Sequence, residues 1–257
     1  MRNLNYKKRF FKQHTLKITL AFGASMMTLQ TGCDAQTQSQ IGQIINQVGV
    51  LNPSTTEIGL GLKQALEIGT SLGSDRLSAK DGYLGNLAVK IAFPQEARNV
   101  EQTLRSIGLG SLADNIITTL NRAAESAVIE AKPIFISAIK QMTIADATNI
   151  LLGTEDAATN YFKSVTTAEL TEKFKPIISV HLKKVGATKY WTDAANSYNR
   201  ISNKPIQTDL SAYVTQKAIE GLFQEIAKEE RSIRTNLNAR TTPLLQKVFN
   251  YADKRKQ

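Results

Sequence analysis

The chain has 257 residues, 42% of them hydrophobic, and a formal charge of +10. That length suits one large domain or two small ones, and the composition excludes a disordered chain. The charge is no argument for a nucleic-acid protein, because such a protein keeps its basic excess in its folded part. Here residues 1–32 carry six bases (Arg2, Lys7, Lys8, Arg9, Lys12, Lys17) and no acid, so the rest, 26 basic and 22 acidic, is only +4.

Residues 18–29, ITLAFGASMMTL, are uncharged and mostly apolar, and Gln30, Thr31, Gly32 and Cys33 follow. A basic segment, a short apolar run and small residues before a cut describe an export signal. The run is too short for a membrane span, which needs about 20 residues. Gly32-Cys33 resembles the cut site of bacterial lipoproteins, which implies a lipid on Cys33 and a membrane-anchored protein of the periplasm or cell envelope. Gln30 stands where that pattern prefers Leu, and cleavage near Ala35, giving a soluble periplasmic protein, is the alternative. Cys33 is the one cysteine, so neither an intrachain disulfide nor a cysteine-built metal site is expected.

Residues 33–40 read as a polar tether. Ile41, Ile44, Ile45, Val48 and Leu51 mark an amphipathic helix, ended by Asn52-Pro53. Ser54 with Glu57 opens another, with Ile58, Leu62, Ala65, Leu66 and Leu72 on one side. Its glycines, Gly59, Gly61, Gly69 and Gly73, weaken it or permit close packing. Residues 74–86 read as a loop turning at Asp81-Gly82. Leu87, Val89, Ile91 and Phe93 alternate with smaller or polar residues, the one strand-like run. With no partner strand it predicts an extended connection or small hairpin near 87–93. Pro94 starts a helix that Gly108 and Gly110 close.

Ser111 and Asp114 read as a capping pair for a long helix with Leu112, Ile116, Leu120, Ala123 and Ala127 on one face. Arg122, Glu125 and Lys132 lie opposite. A break is expected at Lys132-Pro133, and Thr143 with Asp146 caps a further segment ending at Gly153. The region from 111 to 153 has the clearest periodicity and reads as a central element.

Thr154 begins a short helix, and Thr166 with Glu169 caps the next, which holds Leu170, Phe174, Ile178, His181 and Val185 with a kink at Pro176. Trp191, Ala195, Tyr198 and Ile201 mark another. From Asp209 a long helix carries Val214, Ala218, Leu222, Ile226 and Ile233, with Lys228, Glu229, Glu230, Arg231 and Arg234 as a solvated face. Thr242-Pro243 starts the last helix, and a basic tail, 251–257, frays. The expectation is one all-α domain over 41–250 with nine to ten helices.

The motifs DGYLGN (81–86), LRSIGLGSLAD (104–114), LNRAAESA (120–127), AKPIF (131–135), MTIADATNILLG (142–153), AATNYF (157–162), YVTQKAIEGLF (213–223) and ARTTPLLQKVF (239–249) carry a resemblance. The chain resembles the bacterial family DUF4197. The resemblance implies an exported, mainly helical protein, often with a lipoprotein-type signal, and brings no activity to transfer.

The residues themselves offer little chemistry. His181 is the one histidine beyond the signal, and a zinc site usually needs three or four ligands, so neither a metal nor another cofactor is expected. His181 reads as structural. Arg122, Glu125 and Lys132 are the candidate anion or ligand face, against the plainer reading of a solvated face with intrahelical pairs. Two hypotheses follow. One is a non-catalytic envelope module that binds or scaffolds a partner protein, anchored to the membrane by lipid and not directed at nucleic acid. The other is a small-molecule or lipid-binding protein, or an enzyme, with a pocket between kinked helices.

Overall fold

The computed structural model describes residues 52–94, 97–184, 186–188, 191–192, 196, 199–200, 205 and 208–255. The expected signal, Cys33, the 33–40 tether, the helix through Ile41 and Leu51, and most of the helix through Trp191 and Ile201 lie outside these residues. Within them the chain is all helix, with no strand. The helices are α1 (Thr55–Ser78), α2 (Arg98–Ser106), α3 (Gly110–Val128), α4 (Ala131–Gln141), α5 (Ile144–Leu152), α6 (Ala157–Lys184), α7 (Leu210–Thr235) and α8 (Pro243–Arg255). The expected nine to ten are not reached among the described residues.

The expected centre moves. α1, not the 111–153 region, is the helix around which the others assemble: it packs on α3, α4, α5, α7 and α8. The capping box starts it, with Ser54 Oγ accepting from the Glu57 amide at 3.2 Å and Glu57 accepting from the Ser54 amide at 2.8 Å. Its glycines are contact points, because a Cβ on Gly61 would come within 2.7 Å of Val248 on α8. So the loss of helix propensity at glycine is exchanged for close approach. α1 runs to Ser78, so the loop is shorter than 74–86, and Leu72 faces solvent.

The expected strand-like run is an extended connection. Val89, Ile91 and Phe93 point inward and Leu87 is exposed. Without a partner strand, its backbone is satisfied by a side chain: Asn121 accepts from the Ile91 amide and donates to the Ile91 carbonyl, both at 2.8 Å. Just before it, Asp81 sits at φ 68°, a left-handed position that Asp tolerates. The turn buries Tyr83, whose hydroxyl donates to the Ala218 carbonyl at 2.6 Å.

Several boundaries differ from expectation. α2 starts at Arg98, and Gly108, at φ 83°, closes it with Leu109 N–H bonding the Leu104 carbonyl at 2.8 Å. Ser111 does not cap α3: the helix begins at Gly110 without a side-chain cap, and Asp114 instead accepts from Arg105 at 2.7 Å. Leu112 is therefore exposed while Ala113 is buried. The break falls at Ile129–Glu130, and Pro133 lies in the first turn of α4, where its missing N–H costs nothing. Thr166 is inside α6, its hydroxyl turned onto the Phe162 carbonyl at 2.7 Å, so the two helices expected there are one, continuous through Pro176. α8 continues through residues 251–255 of the expected frayed tail.

α6 and α7 run antiparallel. Glu230, late in α7, reaches Ala158 and Thr159 at the start of α6, and Lys175 pairs with Asp209 at the α7 N-cap, 2.8 Å apart. Between helices the core is continuous. Phe135 of α4 meets Phe162 of α6 and Phe223 of α7 edge to face at 5.2 and 6.2 Å, geometries that aromatic rings favour.

Candidate functional site

Of the candidate face, Arg122 and Glu125 are brought together and Lys132 is not. Glu125 is buried beneath the 81–84 turn, where it accepts from the amides of Tyr83 and Leu84 at 3.1 and 3.2 Å. Arg122 bridges Glu125 (2.6 Å) to Asp81 (2.7 Å), and these two carboxylates hold its guanidinium still more firmly protonated. Burial, with the charges of Glu125 and Glu225, pushes the Tyr83 phenol well up, so it stays neutral as a donor. Lys132 sits on a different helix and pairs with Asp75 of α1 at 2.9 Å. Every charge of the trio is answered within the chain, and the arrangement fastens the connecting turn to α3. Cys33 lies outside the described residues. His181 is half-buried near the end of α6. Among the described residues no group of three or more His, Cys, Asp or Glu could hold a metal, and no helix is long and apolar enough to cross a membrane.

The expected solvated face of α7 is only partly that. Glu230 and Arg234 are buried. Glu230 accepts from the Ala158 amide (2.9 Å), the Thr159 amide (2.8 Å) and the Thr159 hydroxyl (2.8 Å), and so caps the positive end of α6 from another helix. Arg234 donates to Glu230 and to the carbonyls of Leu151 and Ile150 at 3.0 and 2.8 Å, the open end of α5. Arg240 is 2% exposed and donates to the carbonyls of Ile233 and Arg234 at the end of α7. In the 231–240 segment Arg231 is exposed, but Arg234 and Arg240 are not. Its buried arginines close helix ends.

A groove of about 940 Å³ lies open between α6 and α7, with Asn86, Ala88 and Val89 of the connecting segment at its side, and a second depression of about 540 Å³ lies between that segment and α7. Ligand sites span about 300–1,000 Å³. α6 contributes Lys163, Thr167, Thr171 and Lys175, spaced by four along one face. The Thr167 and Thr171 hydroxyls donate to the carbonyls of Lys163 and Thr167 at 2.6 and 2.7 Å. Their hydroxyls are thereby engaged with their own helix. From α7 come Ile219, Phe223 and Ala227 as the apolar line, with Gln216, Glu220, Gln224, Lys228 and Arg231 around it.

The charges of the groove are not equivalent. Glu220 is paired with Lys217 (2.7 Å), and Glu225 with Arg76. Lys175 is tied to Asp209, whose carboxyl it holds below the usual range. Lys163 lies over the Phe223 ring, 5.9 Å from its centroid. Neither Lys163 nor Arg231 has an acid within salt-bridge distance among the described residues. Sequence periodicity missed this stripe because a helix boundary at Thr166 cut it in two. Four residues at strict i, i+4 spacing were the signal.

No curated protein and no solved structure matches the chain. The family model described as "Protein of unknown function (DUF4197)" matches residues 52–250, which takes in every helix described above up to the middle of α8, both walls of the groove and the buried Glu230–Arg234 pair. The chain belongs to the DUF4197 family.

Proposed function

We propose that the protein is a non-catalytic binding module of the cell envelope, exported by its N-terminal signal and anchored by lipid on Cys33, and that it binds through the α6–α7 groove. The single observation that carries the reading is that groove: an open trough in which Ile219, Phe223 and Ala227 lie beside two cations, Lys163 and Arg231, that have no acidic partner among the described residues. The pocket among the core residues Leu62, Phe162, Ile226 and Phe249 measures only about 20 Å³, which favours binding at the surface groove. No histidine lines the groove, and its threonine hydroxyls are engaged with backbone carbonyls of their own helices, so its side chains suit holding a molecule better than transforming one.

Affinity capture of the tagged protein from its own envelope tests this, with proteins and lipids both identified by mass spectrometry. Thr167→Trp fills the trough at an exposed helical position and should release the captured material while leaving the melting temperature within a degree or two. Identical capture by wild type and variant would refute the groove as the site. Labelling cells with a fatty-acid analogue tests the anchor: the wild type should carry label and Cys33→Ser should not.

A further inference from the structure

We infer that the ligand of this groove is a single-chain anionic amphiphile, a molecule with one acyl or alkyl tail and a phosphate or carboxylate head. The inference rests on the groove being the binding site. The antiparallel register decides where the parts go. Glu230 beside Thr159 and Asp209 beside Lys175 place Lys163 near Lys228 and Arg231 at one end and Lys175 at the other. At the first end Lys163 and Arg231 have no acidic partner, and Lys163 acts on Asp156 only at a distance. Lys228 reaches Glu225 at 3.5 Å, but that carboxylate is also held by Arg76. At the other end Lys175 is neutralised by Asp209. Uncommitted positive charge therefore gathers at one end.

Between the ends the trough has an apolar strip along its floor. Thr167 and Thr171 stand on the α6 wall, and Ile219, Phe223 and Ala227 on the α7 wall. From Lys163 to Lys175 is twelve residues of helix, about 18 Å, a length suited to an extended hydrocarbon tail. The strip is narrow, because Gln216, Glu220, Gln224 and Lys228 border it on α7. An amphipathic helix of a partner protein presents an apolar stripe about 100° wide and would lay part of it on those polar groups. A slim tail with a charged head would not. Charge at one end also fixes the ligand's direction, head toward Lys163 and Arg231.

The test uses the full-length chain carrying Cys33→Ser, so that no covalent lipid competes. Three surfactants with the same tail are titrated calorimetrically below their micelle concentrations: dodecyl phosphate, dodecyl maltoside and dodecyltrimethylammonium. Dodecyl phosphate should bind one to one, more tightly than the other two, and more weakly as salt screens the head. Lys163→Gln with Arg231→Gln should weaken dodecyl phosphate about tenfold and leave dodecyl maltoside unchanged, and Thr167→Trp should abolish both. Equal binding of the cationic surfactant, or unchanged affinity in the double variant, would overturn the inference. So would absence of dodecyl phosphate binding while Thr167→Trp still releases a captured protein, a result that leaves the groove as the site with a different occupant. If dodecyl phosphate binds equally well to Thr167→Trp, the groove itself is refuted.

Discussion

Glu230→Ala is expected to be among the most destabilising single substitutions in the chain. The carboxylate receives two backbone amides, one hydroxyl and the Arg234 guanidinium, with side-chain exposures of 6% for Glu230 and 7% for Arg234. Truncation leaves the guanidinium buried without its counterion and the α6 N-terminus without its cap. Breaking a buried pair from one side typically costs about 3–5 kcal/mol, out of a total of about 5–15 kcal/mol. Urea unfolding followed by circular dichroism should show the midpoint falling by about 1–2.5 M with unchanged slope. Arg234→Ala should cost a similar amount. Glu230→Ala with Arg234→Ala should cost less than the sum, because the second truncation removes the stranded charge left by the first. The exposed Arg231→Ala should fall within about 0.5 kcal/mol of wild type. If Glu230→Ala is as mild as Arg231→Ala, the buried cap does not exist as described.

Leu120→Ala, at 1% exposure, should cost about 2–5 kcal/mol. Arg122→Ala should cost less than half of that, since Glu125 keeps its two amide donors; thermal melts of both variants check the order. Gly59→Ala meets only Ile144 at 3.6 Å and should stabilise α1 by up to about 1 kcal/mol, whereas Gly82→Ala would place its Cβ 2.5 Å from the carbonyl oxygens of Arg76 and Leu77 and should destabilise by about 1–3 kcal/mol. Lys247 and the Ser54 amide hold the Glu57 carboxyl down, from its ordinary value near 4.5 to about 2. A depressed carboxyl stabilises the fold above its unfolded pKa and loses that contribution as pH falls through its folded value. Stability should therefore decline between about pH 4.5 and 2, and Glu57→Gln should flatten that part of the pH–stability curve.

The sequence disclosed structure wherever the controlling interaction is local. The capping boxes at Ser54–Glu57 and Thr143–Asp146 are present, and the inward alternation of Val89, Ile91 and Phe93 is as its period implies. It misled where a distant partner decides. Ser111 looked like a cap, but Asp114 is taken by Arg105. Thr166 looked like a helix start, but its hydroxyl bonds one turn back inside α6. Glu230 and Arg234 looked solvated because charge is normally outside, and their task is to close the ends of α6 and α5, helices far away in sequence. A clue was present: the apolar stripe of Val214, Ala218, Leu222 and Ile226 continues at the same spacing into Glu230 and Arg234. Charges that extend an apolar stripe are candidates for burial. The groove was least legible, since it depends on two helices meeting in a particular register.

The measurement that bears most directly on the groove as a binding site is hydrogen–deuterium exchange of the full-length protein with and without dodecyl phosphate. Added protection is expected only at residues 163–175 of α6 and 212–231 of α7, and it should be absent in Thr167→Trp. Protection spread evenly over the domain, centred on the 81–84 turn near Arg122, or unchanged by the substitution would contradict it.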